Sequence, residues 1–462
     1  MTEPDATNAA APSTTHFDAI VMGGGAPGEH CAAAIAAGGL RVAIVERELL
    51  GGECSYYACI PSKTLLRPGE ALAAARDAPG AAQAVTGSLD PEAALGWRDF
   101  MVSNYDDTGA RSWAKSAGIE VLRGSGRLAG PHTVAVGDDT YTADHIVIAT
   151  GADPMIPPVP GLRELPGIWT NREVTGLTEV PRRLIIIGAG PTGVEMAQAL
   201  TRMGASVALV DHSEHVLARE PRALGEAVGA ALAAEGIELH MGQVATEARL
   251  EGDEYVLFLT DGTELRGDRL LVATGRRPRV EGIGLETVGI EPNPRGIQVD
   301  DRMSCGDGLW AVGDVTGLWQ LTHVGEYQGR VVAANIQGRP WTARYDAVPR
   351  VVYCDPEAAS VGEAEGAFTA TVQLSGVPRT ATYTRAYDTR PGFLTLVSDG
   401  ERLTGAYAVG PNAGEWMQQA TLAVRAQVPL LVLLDVIQPF PTFSEAFLHG
   451  LRDLDTQIRK RS

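Results

Sequence analysis

The feature that most restricts the fold occurs twice: an apolar strand runs into a glycine loop, then a helix, then a second strand that ends in an acid. In the first copy FDAIVMGGGAPG carries Gly23, Gly25 and Gly28 in the spacing G-x-G-x-x-G, EHCAAAIAAGG reads as an Ala-rich helix, and RVAIVE closes on Glu46. The second copy lies about 165 residues downstream. There RRLIIIGAGPTG carries Gly188, Gly190 and Gly193, VEMAQALTRMG is the helix, and SVALVD ends on Asp211. The first glycine permits a tight turn, the second lets backbone approach a pyrophosphate, and the third lets helix pack on strand. The helix N-terminus then faces the negative charge. A glycine triplet alone says little in a chain with 54 glycines. Strand, helix and acid at the right places make each copy a dinucleotide unit, so the fold class is α/β with two Rossmann-like domains.

At 462 residues the chain exceeds the roughly 250–300 that one core serves, so two or three domains are expected. IPPVPGLRELPG, residues 156–167, is rich in Pro and Gly and reads as a linker. From about residue 345, strand-like RVVYC and GFLTLVS alternate with amphipathic GEWMQQATLAVRAQ and SEAFLHGLRDLDTQI, giving an α+β domain without a glycine loop. Residues 1–15, small and polar with interrupting Pro, read as a disordered tail.

The formal charge of -19 repels nucleic acid and anionic membrane, and no apolar run approaches the roughly 18–20 residues of a span. The N-terminus lacks the pattern of a signal peptide, which predicts a cytoplasmic protein. Five scattered cysteines, Cys31, Cys54, Cys59, Cys305 and Cys354, are too few for a secreted framework. Cys54 and Cys59 have no flanking ligands for zinc, so no metal site is expected and redox chemistry leads.

The pair lies in GGECSYYACIPSK, residues 51–63. With the first glycine loop and Glu46, with IVIATG (146–151), the second glycine loop, LLVATG (270–275), LWAVGDVTG (309–317) and VVYCDPEAASVG, this segment resembles the pyridine nucleotide-disulfide oxidoreductases, the family of dihydrolipoamide dehydrogenase, glutathione reductase and mercuric reductase. The resemblance spans almost the whole chain. It implies an NAD(P)H-consuming FAD enzyme acting as a homodimer on a small-molecule substrate. Its implied domains are FAD-binding at 16–160 and 280–344, NAD(P)-binding at 161–279, and dimerisation at 345–462. By resemblance, Gly23, Gly25, Gly28, Glu46, Gly52, Thr150, Gly151 and Asp314 hold FAD. Gly188, Gly190, Gly193, Asp211 and Gly275 hold the nicotinamide dinucleotide. Lys63 pairs with Glu195 beside the flavin ring, Cys59 is the flavin-facing thiol, and Cys54 is the interchange thiol of a redox-active disulfide. Cys31 is expected in the core, and Cys305 and Cys354 without partners in the motif.

Asp211 binds a free ribose 2'-hydroxyl and repels the 2'-phosphate of NADP, which favours NADH. His212, His215 and Arg219 follow it closely and offer NADPH an alternative.

The chain departs from its family at the C-terminal His-Pro-Thr-x-x-Glu segment. Here QPFPTFSE (438–445) puts Phe440 where the acid-base histidine stands and keeps Glu445. Phenylalanine moves no proton, and losing a general acid-base costs about 100- to 10,000-fold. His449, one helical turn after Glu445, is a substitute base by position; Gln438, Tyr56 and Tyr57 are expected to line the cavity, and Glu53 replaces the usual threonine. Mercuric reductases carry a vicinal C-terminal cysteine pair, and this chain ends in RKRS, which disfavours mercury. A 2-ketopropyl-coenzyme M oxidoreductase/carboxylase resembles it in placing Phe at that position. The expected acceptor needs no imidazole: a quinone, a metal ion, or a specialised thioether or disulfide. The alternatives are an ordinary dihydrolipoamide dehydrogenase- or mercuric reductase-like enzyme, a diaphorase using flavin alone, and a flavin-bound redox sensor without turnover.

Overall fold

The two apolar runs around the first glycine loop pair as parallel strands, because each is buried on both faces and a helical crossover is the short way to connect them. The computed structural model describes residues 15–385 and 392–461. β1 (Thr15–Met22) leads through the loop into α1 (Ala26–Ala36), and β2 (Val42–Glu46) returns beside β1. The tail assigned to residues 1–15 lies outside the described residues apart from Thr15, which already opens β1. Strand Asp139–Ile148 lies parallel on the other side of β1, with Leu309–Ala311 beyond it and Ile119–Arg123 outside β2. A short α2 (Gly52–Tyr56) follows β2.

The chain divides into two units, 1–56 with 105–153 and 277–343, and 57–104 with 154–276 and 344–462. The division falls between Tyr56 and Tyr57, inside the cysteine motif. Residues 57–104, placed by sequence with the first dinucleotide domain, pack in the second unit because α3 (Cys59–Asp77) and α4 (Pro91–Met101) bury Leu65, Leu66, Ala94 and Leu95 in the core of the second glycine unit.

That core is built on four parallel strands in the order Glu238–Met241, Ser206–Asp211, Arg183–Ile187 and Arg269–Val272. The second glycine loop joins Arg183–Ile187 to helix Pro191–Arg202. Residues 156–167 are no free tether: Leu162 is fully buried with Ile156, Val159 and Leu165 around it, and a side chain at Gly161 would overlap the Ala248 carbonyl. The C-terminal region is a five-stranded antiparallel sheet with helix Glu445–Arg461 packed on it through Ala446, Phe447, Leu451 and Leu454. Among the described residues no helix is long and apolar enough to cross a membrane.

One buried charge fastens α4 in place. Arg98 is 1% exposed and donates to the carbonyls of Thr175 and Leu177 (2.8 Å for the latter), at the end of the short helix Asn171–Thr175, and to Asp99 at 2.7 Å. Arg98→Met leaves those carbonyls buried without donors, at a cost of about 2–4 kcal/mol. The melting midpoint of the variant should fall by roughly 5 °C or more; an unchanged midpoint would show that the carbonyls find other donors.

Candidate functional site

In the first unit the three glycines of the loop separate by what a side chain would meet. A Cβ at Gly23 would overlap the Ala149 carbonyl and one at Gly28 the Gly23 carbonyl, whereas Gly25 faces open space. The tight turn and the helix packing thus exclude side chains, and the middle glycine leaves backbone open to a ligand. Glu46 lies at the end of β2 and accepts from Gly24 N (2.8 Å) and Glu48 N (2.7 Å). Burial, and then the Glu46 carboxylate, push Glu29 in the first turn of α1 up to about 7, so near neutrality its charge is partly removed from the helix N-terminus.

The cysteine helix docks directly on this loop. Gly51 N donates to Gly24 O (2.7 Å), and Gly52, at φ +58°, lies so close to Gly25 that its Cβ would stand 2.7 Å from the Gly25 Cα. The segment before it is held from outside, Leu50 N donating to Asp107 (3.0 Å) and Arg123 bridging Asp107 and the Glu48 carbonyl. Cys54 is half-buried on α2, and Thr322, first residue of helix Thr322–Ile336, directs its hydroxyl at the Cys54 sulfur at 3.5 Å. Tyr56 is 5% exposed and packs against Gly51.

Thr150 and Gly151 lie at the end of strand Asp139–Ile148. Arg279 clasps them, accepting from Thr150 Oγ1 (2.9 Å) at its own carbonyl, donating to Thr150 O (2.8 Å) and giving its N–H to Gly151 O (2.9 Å). Asp314 lies in the turn Gly313–Thr316, which Gln328 anchors by accepting Gly313 N at 2.7 Å. These residues leave an open backbone cradle with a carboxylate at the strand end, the donor and acceptor set that a dinucleotide such as FAD needs.

The second unit repeats the cradle. Side chains at Gly188 and Gly193 would overlap the carbonyls of Ala273 and Gly188, and Gly190 faces open space. Asp211 accepts from Ala189 N and Ser213 N, both at 2.8 Å. Of the cations behind it, His215 turns inward to the Val216 carbonyl at 2.8 Å, Arg219 is exposed, and His212 stands 3.2 Å from Asp211. Gly275, at φ +126°, follows strand Arg269–Val272 and accepts from Met155 N at 3.0 Å.

Cys59 opens α3. The turn before it is fixed by Asn171 Nδ2 (2.9 Å) and Thr175 Oγ1 (3.2 Å), both donating to the Tyr57 carbonyl, and by the Arg172 guanidinium, 4.4 Å from the Tyr57 ring. One turn on, Lys63 pairs with Glu195 at 2.7 Å; the carboxylate is 5% exposed and the lysine 37%. Tyr353 completes the enclosure, giving its N–H to Glu195 (3.1 Å) and holding its ring centroid 4.7 Å from Lys63 Nζ. Desolvation works against the ammonium, but the charge and hydrogen bond of Glu195, then the charges of Cys59 and Tyr353, leave the Lys63 pKa above its ordinary value. The lysine is therefore a fixed cation next to Cys59.

Burial pushes Cys31 up to about 12, does the same at Cys305 with help from Asp300, and raises Cys354 further, so these three are held protonated.

At the C-terminal end Phe440 is 73% exposed. Glu445 accepts from Thr442 N at 3.3 Å as an end cap of its helix, His449 is exposed, and Gln438 donates to Gln419 at 3.4 Å. Thr322, Tyr353 and Asn171 were missed in sequence. Tyr353 falls inside the quoted VVYCDPEAASVG segment, but nothing in a linear pattern tells which distant carboxylate it meets.

Residues 17–329 match the pyridine nucleotide-disulphide oxidoreductase family and residues 348–450 its dimerisation domain. A dihydrolipoyl dehydrogenase of Thermus scotoductus is 34% identical over 96% of this chain and 98% of its own length, and a mercuric reductase of Acidithiobacillus ferrooxidans is 34% identical over 96% and 83%. Among solved structures, the Cu(II) complex of the HOCl-induced flavoprotein disulfide reductase RclA from Escherichia coli aligns with a TM-score of 0.83 at 25% identity, covering 95% of this chain and 99% of that one. On these matches the chain belongs to the pyridine nucleotide-disulphide oxidoreductase family and is an FAD-dependent NAD(P)H oxidoreductase.

Proposed function

We propose that this enzyme works through a Cys54/Cys59 dithiol on a small acceptor that needs no imidazole from the protein, as a homodimer with NADH as donor. Phe440 carries the reading. An aromatic ring neither accepts the proton of an interchange thiol nor returns one to a leaving thiolate. Of the two retained titratable groups nearby, Glu445 accepts the Thr442 N–H at 3.3 Å and His449 is exposed.

Gly23, Gly25, Gly28, Glu46, Gly52, Thr150, Gly151 and Asp314 would hold FAD, with Lys63 beside its ring; Gly188, Gly190, Gly193, Asp211 and Gly275 would hold the nicotinamide dinucleotide, with Glu195 fixing the lysine. When bound, FAD supplies the two-electron carrier between nicotinamide and thiols. Lys63 favours the thiolate of Cys59 by its charge. The Thr322 hydroxyl and the N-terminus of its helix favour charged sulfur at Cys54, the form that attacks or coordinates an acceptor. Acceptors reducible without a protein-borne proton are soft metal ions and quinones, with a specialised thioether or disulfide next. The mercuric reductase relative and the Cu(II) complex of RclA support the metal class. The dimerisation-domain match and the exposed Leu422, Leu431, Val432 and Ile437 support a homodimer. The scattered cysteines support a cytoplasmic site of action.

Anaerobic titration of the oxidised enzyme should take up roughly four electrons per subunit, two for flavin and two for the disulfide between Cys54 and Cys59, and about two in Cys54→Ser. Unchanged acceptor turnover in Cys54→Ser would favour a diaphorase that uses flavin alone.

Phe440→His should raise reduction of a lipoamide-type disulfide by about 10- to 100-fold and change Cu(II) or quinone turnover by less than about threefold. No gain on the disulfide would mean that position 440 is not what limits proton transfer.

For the donor, Asp211→Ser should raise the NADPH/NADH ratio of kcat/KM by about tenfold, measured with an artificial acceptor; a constant ratio would remove Asp211 from donor selection.

A further inference from the structure

Gln198 is fully buried on the face of helix Pro191–Arg202 that carries Glu195 three residues earlier. Both ends of its amide are used on one residue: Oε1 accepts Asp355 N at 2.7 Å, and Nε2 donates to Asp355 O at 2.8 Å and to Glu235 at 2.9 Å. Arg202, a turn further on, donates to the Asp355 carboxylate at 2.8 Å. Two residues before Asp355 stands Tyr353, whose N–H and ring contact Glu195 and Lys63. The short segment 353–355 is therefore pinned at one end by Gln198 and touches the ion pair at the other. A glutamine that only satisfied its own burial would need a single partner group at each end, from any element; this one selects the backbone that carries Tyr353.

We propose that Gln198 is a positioning residue for the redox site: by clamping Asp355 it fixes Tyr353 against Lys63 and Glu195, and so sets how much of the lysine's charge is felt at Cys59. This rests on the dithiol reading above. The titratable groups around Lys63 are Glu195 on its facing helix, Cys59 on its own, and Tyr353. Tyr353 in turn faces Glu357 and Glu415, and its neighbour Cys354 faces Glu195, Asp355 and Glu357. Loosening 353–355 lets the ring leave the ammonium and the N–H leave Glu195. The lysine then spends its charge on a mobile carboxylate, and less remains for the thiolate.

The test uses the FAD-loaded full chain with Cys54→Ser, in which Cys59 is the remaining thiol of the pair. A thiolate against oxidised flavin gives a long-wavelength charge-transfer absorbance, whose pH midpoint reads the ionisation of Cys59. Adding Gln198→Met should raise that midpoint by about half a unit, roughly a threefold loss of thiolate below it, and Lys63→Met by roughly 1–3 units. Tyr353→Leu, which keeps the N–H and removes the ring, should shift it the same way as Gln198→Met and is read in its place should that variant fail to retain FAD. A shift with Lys63→Met and none with Gln198→Met, or none with Tyr353→Leu where that is the variant read, overturns the positioning role. Absence of the absorbance in the Cys54→Ser reference, or no shift with Lys63→Met, instead overturns the dithiol reading on which it stands.

Discussion

The ion pair between Lys63 and Glu195 is the interaction on which the surroundings of Cys59 in the second unit depend. It joins α3, which carries Cys59, to the helix that follows the second glycine loop, and a side chain on Gly69 further along α3 would stand only 2.7 Å from Arg202. Glu195 is almost wholly withdrawn from water, so losing its cation leaves a buried charge unpaired, which typically costs about 3–5 kcal/mol, whereas Lys63, 37% exposed, keeps part of its hydration. The choice of lysine is informative. Of 38 basic residues only three are lysines, and among the described residues most other ion pairs use arginine, as in Arg183–Glu238 and Arg202–Glu235. A guanidinium is a wide planar fork, whereas an ammonium is a point charge that fits between a carboxylate and the face of a tyrosine.

The two glycine units solve one problem in the same way. In each, the acid at the end of the second strand accepts the N–H of the residue after the first glycine and the N–H two residues beyond itself: Gly24 and Glu48 on Glu46, Ala189 and Ser213 on Asp211. The carboxylate therefore shapes the loop whether or not a ribose is present. Both acids are ligand groups by motif and loop supports by geometry, and a substitution at either acts on both.

The glycine units were legible in the sequence because their logic is local: a turn, a close approach and a helix packing each demand glycine within six residues. The C-terminal α+β region was legible from periodicity, and segments such as GFLTLVS and SEAFLHGLRDLDTQI lie on the strand Phe393–Ser398 and the helix Glu445–Arg461. Tertiary choices were not legible. No periodicity tells that Asn171 and Thr175 will hold the Tyr57 carbonyl, or that Thr322 will meet Cys54 across 268 positions. The same limit hid the passage of 57–104 into the second unit, and made a linker of residues whose leucine is buried. Tyr56 shows the same limit: the motif marks a large residue where a small one is usual, but only the structure shows the glycine beside it making room for the ring.

Position 440 differs in kind from its neighbours. Thr442 donates to the Pro439 carbonyl at 2.7 Å and its N–H reaches Glu445, so these two residues build the entry to the last helix, and that helix buries Phe447, Leu451 and Leu454. Their retention is accounted for by capping and packing, and carries no message about proton transfer. Phe440 has no such duty: at 73% exposed it contributes nothing to the core of its own chain. A residue free of packing constraint can be exchanged without harm to the fold, and an exposed phenylalanine is a poor choice for solubility alone. What remains to constrain it is what happens at that position in the assembled enzyme. On the reading proposed above, the aromatic ring supplies apolar surface where the family's histidine supplies a proton, so the substitution bears on the chemistry of the acceptor, while the cysteine motif, the glycine loops and the ion pair bear on the enzyme class.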